Sequence, residues 1–165
     1  MDTNIKGDRG EAIVRLALTE YKSFPDPLFR PRLLGEKWPS LDFYVEVCEE
    51  TCPRAFFFVQ VKNETQPDDS RCSCSVSLDA DDVRRLTAFP APTYLVGVDD
   101  KKRTGYICSI QEPRSMGVSR IPYEFELTEA NLLKLKEEVL MFWRAQNKVA
   151  MHSSFTLKTD KGGKS

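Results

Sequence analysis

Phe56-Phe-Phe-Val-Gln-Val-Lys62 is the stretch on which the fold turns. It is aromatic and β-branched and holds no glycine or proline, so it reads as a strand. Its end changes character. Gln60 and Lys62 are polar and, at period two, point to the same face. An amine at the edge of an apolar run is costly unless partnered, which suggests a purpose. Upstream, Leu41-Asp-Phe-Tyr-Val-Glu-Val47 alternates as a second strand, and the polar Cys48-Glu-Glu-Thr-Cys-Pro-Arg-Ala55 between them is a hairpin-type connection. If that connection is centred near Thr51, an antiparallel ladder pairs positions that sum to about 102–104. Asp42 then lies opposite position 60–62, and Asp42, Gln60 and Lys62 meet at one end of the hairpin.

Outward from this hairpin the other elements follow. Asp8 to about Tyr21 reads as a helix whose Ile13, Val14, Leu16, Ala17 and Leu18 make it apolar over more than one face. Phe24-Pro-Asp-Pro27 ends it, because proline cannot continue a helix. Leu28–Leu34 suits a short strand and Ser73–Leu78 alternates as another. Asp79 suits the N-cap of a short helix carrying Val83 and Leu86, which stops before Pro90. Thr93–Val98 is a strand, Asp99–Thr104 a turn, Gly105–Ile110 the returning strand, and Gln111–Pro122 a loop. Thr128 caps a long helix to about Lys148, with Leu132, Leu135, Val139, Phe142 and Trp143 on one stripe. The expected order is α-β-β-β-α-β-β-α with the early strands antiparallel. That is an α/β domain with a mixed central sheet flanked by helices.

Length and composition set the frame. The 165 residues fit one domain over 1–150, followed by a polar tail over 151–165. Apolar residues at 41% and charged residues at 30% exclude a disordered chain. No apolar run approaches the roughly 20 residues needed to span a bilayer, and the N-terminus lacks the pattern of a signal peptide, so a cytoplasmic location without a membrane partner is expected. Five cysteines are an odd number, which fits reduced thiols better than a disulfide framework. Cys48-x-x-x-Cys52 and Cys72-x-Cys74 lack zinc-knuckle spacing. The single histidine, His152, sits near the chain end and disfavours histidine general-base chemistry. No glycine-rich phosphate loop or nucleotide fingerprint is present. A net charge of -1 means that any nucleic-acid contact must use a local patch. Lys101-Lys-Arg103, Arg84-Arg85 and Arg9 are the candidates, and such a patch gives affinity without sequence preference.

The cluster at the hairpin end has a specific chemistry. The Asp42 carboxylate, the Gln60 amide oxygen and a backbone carbonyl such as that of Val61 are hard oxygen donors. They suit Mg²⁺ or Mn²⁺. Lys62 beside such an ion could orient a water or neutralise charge developing on a phosphate. Read singly, Asp42 is a strand-start carboxylate, Lys62 an exposed strand-end amine, and Glu11 an acid favoured by the helix dipole. Their convergence is what points to a site.

These residues resemble a family. Asp42, then Gln60-Val-Lys62 after an aromatic strand, with Glu11 on a preceding helix, is similar to the PD-(D/E)xK nuclease superfamily. Gln60 at the usually acidic position resembles the variant in Mrr-type restriction endonucleases. More closely, Gly7-Asp-Arg-Gly-Glu11, Leu41-Asp-Phe-Tyr-Val-Glu46, Phe58-Val-Gln-Val-Lys62 and Pro92-Thr-Tyr-Leu-Val-Gly-Val98 resemble the domain of unknown function 4365. That is a bacterial family often linked to antiphage defence, and the resemblance runs from about Gly7 to Trp143. It implies a restriction-endonuclease-like core and a Mg²⁺- or Mn²⁺-dependent phosphodiesterase acting on DNA, with RNA left open. Asp42 would be the principal metal ligand, Gln60 the second, and Glu11 a carboxylate binding directly or through water. Lys62 would position water or stabilise charge. The helix from Asp79 would lie near the path of nucleic acid. A neutral Gln60 would hold the metal less strongly than a carboxylate. The alternatives are an inactive nuclease-fold module that binds nucleic acid or a partner protein, and a subunit completed by a defence-system ATPase or helicase. By analogy of fold, a homodimer would pair through the last helix.

Overall fold

The computed structural model describes residues 3–146 except 21, 22, 24, 36, 37, 39, 51, 53, 66–71 and 112–115. The tail over 151–165, with His152, lies outside the described residues, as do residues 147 and 148 at the expected end of the last helix. Helix α1 spans Thr3–Thr19, α2 Ala80–Thr87 and α3 Glu129–Ala145. The strands are β1 (Phe29–Leu33), β2 (Phe43–Val47), β3 (Phe56–Asn63), β4 (Ser73–Leu78), β5 (Thr93–Asp99), β6 (Thr104–Ser109) and β7 (Val118–Pro122). The protein is therefore α/β with a mixed central sheet and three helices. The element order departs from the expected one. Seven strands are present among the described residues, and the stretch Gln111–Pro122 holds β7 and is not loop throughout.

The central sheet runs β1-β2-β3-β5-β6, and β4 pairs with β7 in a separate two-stranded sheet. The β1-β2-β3 part is antiparallel, as expected. The β2–β3 register pairs Phe43 with Val59 and Glu46 with Phe56. Both pairs sum to 102, at the lower edge of the expected range. β3 and β5 run parallel, with Lys62 beside Gly97. The chain between them supplies β4 and α2, the long crossover that a parallel pair requires. Pro31 is tolerated in β1 because that strand is an edge, where a missing N–H leaves no partner unpaired.

Two apolar cores sandwich the sheet. On one face Val14 and Leu18 of α1 and Leu132, Leu135, Val139 and Leu140 of α3 pack on Phe43, Val45, Phe57, Val59 and Val96. On the other, Val83 and Leu86 of α2 with Cys74, Val76, Val118 and Ile121 of the small sheet pack around Leu95 and Tyr106. Contact there is close at Gly97, where a Cβ would lie 2.7 Å from Val76 Cγ1 and 2.9 Å from Cys74 Sγ. Both expected caps form, with Asp79 accepting from Asp82 N at 2.7 Å and Thr128 from Asn131 N at 3.3 Å. No helix among the described residues is long and apolar enough to cross a membrane.

Candidate functional site

The site begins where the β2–β3 ladder frays. Odd-numbered residues of β3 turn their backbone groups toward β2, and the last bond of that kind is Asp42 N–H to Val59 O at 2.9 Å. Ser40, just before, takes a left-handed φ of 68°, which redirects the chain into β2. The next β3 residue, Val61, therefore has no β2 backbone to pair with. The Asp42 carboxylate takes its place, Oδ2 accepting from Val61 N at 2.5 Å. The Gln60 amide nitrogen donates to the same Oδ2 at 2.7 Å and to Val61 O at 3.2 Å. Asp42, Gln60 and Val61 are thus brought together. Gln60 is 8% exposed, and its amide oxygen accepts no hydrogen bond among the described residues.

Lys62 shares the face of Gln60 and acts on Asp42 through its charge. Among the described residues no hydrogen bond or ion pair ties up its ammonium. Burial pushes the Asp42 carboxyl above its ordinary value, against the opposing pull of Val61 N–H and Lys62. Glu11 arrives from α1 around the start of β2. It lines a cleft of about 250 Å³ with Asp8, Ala12, Arg15, Leu33 and Phe43. Burial raises its pKa first, and repulsion by Asp42 and then Asp8 adds to the rise. Tight docking of α1 holds Glu11 in place. A Cβ at Gly10 would lie 2.6 Å from Asn63 Oδ1, and Asn63 donates from Nδ2 to Lys6 O at 2.9 Å.

Two carboxylates that repel one another, beside a lysine, an amide oxygen and a carbonyl released from the ladder, form a hard-oxygen donor set suited to a divalent cation. Among the described residues no group of three or more His, Cys, Asp and Glu is placed to hold a metal. The set therefore depends on the neutral oxygens of Gln60 and Val61. That is weaker ligation than three acids provide.

The basic candidates fall in two groups and are mostly paired. Arg9 binds Asp100, with Nη2 to Oδ1 at 2.9 Å. Arg84 pairs with Asp81 and Arg85 with Asp82, each on α2 itself. Lys102 pairs with Asp99 at 3.4 Å and lies over the Tyr123 ring. Lys101 and Arg103 are exposed at the β5–β6 turn. Arg9 thus lies beside the Lys101–Arg103 turn, while Arg84 and Arg85 sit on α2.

Two further acids escaped the sequence reading. Asp8 lies in the Glu11 cleft, one helical turn before Glu11. Glu64, 5% exposed, continues the Gln60–Lys62 alternation beyond β3, and its Oε1 is buried without a hydrogen-bond partner among the described residues. Period-two counting from Gln60, and helical counting from Glu11, were the available signals. No family model matches the chain, and no curated protein or solved structure matches it either.

Proposed function

We propose that this protein is a metal-dependent nuclease with a restriction-endonuclease-like core, in which Asp42, Gln60, Lys62 and Glu11 form the catalytic site. The observation that supports the reading most is the frayed end of the β2–β3 ladder. There the Asp42 carboxylate and the Val61 carbonyl sit together through Gln60, Lys62 acts on Asp42 through its charge, and Asp42 repels Glu11. Asp42, Glu11, the Gln60 amide oxygen and Val61 O would hold Mg²⁺ or Mn²⁺. When bound, the ion would supply Lewis-acid stabilisation of a phosphate and a more acidic water. Lys62, with no described ion-pair partner, would orient that water and offset charge growing on the phosphate. DNA is the proposed substrate.

The test is incubation of supercoiled plasmid with wild type, Asp42→Ala and Lys62→Ala in Mg²⁺, Mn²⁺ or EDTA. Metal-dependent cleavage is expected, falling by about a hundredfold or more in each folded variant. Equal cleavage by wild type and both variants would sink the assignment. A second reading, a non-catalytic module of the same fold, is favoured by one observation. The Gln60 NH₂ group itself occupies both Asp42 Oδ2 and Val61 O, satisfying the oxygens a cation would need.

A further inference from the structure

The two cores leave part of the sheet bare. Period two sets Arg30 and Arg32 of β1, Tyr44 and Glu46 of β2, and Phe56 and Phe58 of β3 on the face opposite α1 and α3. The small sheet and α2 cover that face from Phe58 across β5 and β6, and also Leu34 and Leu41 beyond the ends of β1 and β2, but their core includes no residue of β1 or β2. Tyr44, Arg30 and Arg32 belong to neither apolar core. Tyr44 and Phe56 are half-buried, and the two arginines are 64% and 58% exposed. The rings form one continuous row. Phe56 lies 5.0 Å from Tyr44 and 5.6 Å from Phe58, and Trp143 of α3 stacks on Phe56 at 4.6 Å. The Trp143 indole donates to Phe56 O at 2.7 Å, which fixes the end of the row.

This row runs into the candidate site. Tyr44 faces Phe58 in the ladder, and the next pair on the same face is Asp42 with Gln60. Two residues of strand advance about 7 Å, roughly the spacing of successive nucleotides in an extended strand. Charge fits the same occupant. Arg30 and Arg32 share one acid, Glu46, at 3.6 and 3.7 Å, so among the described residues two positive charges meet one negative charge beside the rings. Duplex DNA keeps its bases stacked inside and has no use for an aromatic floor. An unpaired strand does, since exposed bases stack on such rings while arginines take the phosphates.

We propose that the bare face of β1, β2 and β3 seats a single nucleic-acid strand. Unpaired bases lie on Tyr44, at the end of the row that Trp143 leaves uncovered, phosphates meet Arg30 and Arg32, and the backbone is led toward Asp42. In naming the substrate form of that site, this rests on the nuclease reading, but the binding it describes is measurable without cleavage.

The experiment is fluorescence anisotropy in EDTA with a labelled 12-nucleotide single strand and its duplex, using the full chain. The single strand is expected to bind tighter than the duplex. Tyr44→Ala should weaken strand binding about fivefold or more, and Tyr44→Phe should retain it, because the ring and not the hydroxyl stacks. Arg32→Ala, at an exposed position, should lower the salt dependence of binding by about 0.7 in log–log slope. Equal or tighter duplex binding, or strand binding indifferent to both Tyr44→Ala and Arg32→Ala, overturns the proposal. So does sedimentation showing a wild-type dimer that Tyr44→Ala dissociates, since a second copy would then own the face. Strand binding with no cleavage in any metal would sink the nuclease reading alone. Cleavage with strand binding blind to these variants would sink the seat alone.

Discussion

Asp42 and Asp99 are both acids at strand ends of the same sheet, yet the protein treats them in opposite ways. Asp99, 4% exposed, is fully used by its surroundings. Its Oδ1 accepts from Lys101 N and Lys102 N at 3.0 Å each, closing the β5–β6 turn, and its Oδ2 pairs with Lys102. This is the usual work of an aspartate at a turn. Asp42 gathers its two described hydrogen bonds on Oδ2 alone, is partly desolvated, and repels a second acid, Glu11. One carboxylate stabilises the chain. The other is held at a cost, and such cost concentrates where a group has chemistry to do.

Three measurements break or sharpen that contrast. The largest effect is expected from metal. Mn²⁺ at a hundred times its Kd should stabilise wild type by about 2.7 kcal/mol, or roughly 5–10 °C in Tm. The shift should vanish in Asp42→Ala and survive in Asp99→Ala. No shift in wild type would favour the non-catalytic module. Next, Asp99→Ala should cost about 1–2 kcal/mol by leaving two turn N–H groups without their acceptor, read from denaturant unfolding, with cleavage per folded molecule unchanged.

The smallest effect has the opposite sign. Because the Asp42 pKa is raised by folding, the folded state holds its proton more tightly than the unfolded chain. Its contribution to stability is therefore most favourable below the ordinary aspartate range and is lost as pH rises through the raised value. Asp42→Asn removes that loss. It should raise Tm at pH 7, read by thermal unfolding, and the gain should shrink as pH falls toward the ordinary aspartate range. A lower Tm for Asp42→Asn at pH 7 would place Asp42 in the same class as Asp99.

Much of the site was legible because it is local. Leu41–Val47 and Phe56–Lys62 carry their own period-two pattern, and one short connection fixes their register, so Asp42 and Gln60 could be paired by counting. The caps at Asp79 and Thr128 were legible for the same reason. β7 was not. In Val118-Ser-Arg-Ile-Pro122 the buried residues, Val118 and Ile121, are three apart, and the β4–β7 ladder carries a register shift. The pattern therefore breaks the alternation that marks a strand. Nor could charge alone reveal that Arg9, Arg84, Arg85 and Lys102 face acids of the protein itself.

The sequence by itself determined the hairpin, its register and the identity of the polar group at its end, since each depends on residues close in the chain and on backbone periodicity. Only the tertiary structure decided that Glu11 feels the charge of Asp42, that β5 lies parallel beside β3, and that the small sheet stops short of Tyr44 and the β1 arginines. Those outcomes depend on how whole faces pack. The free energy of such packing is spread over many apolar contacts between elements far apart in sequence, and no short motif encodes it.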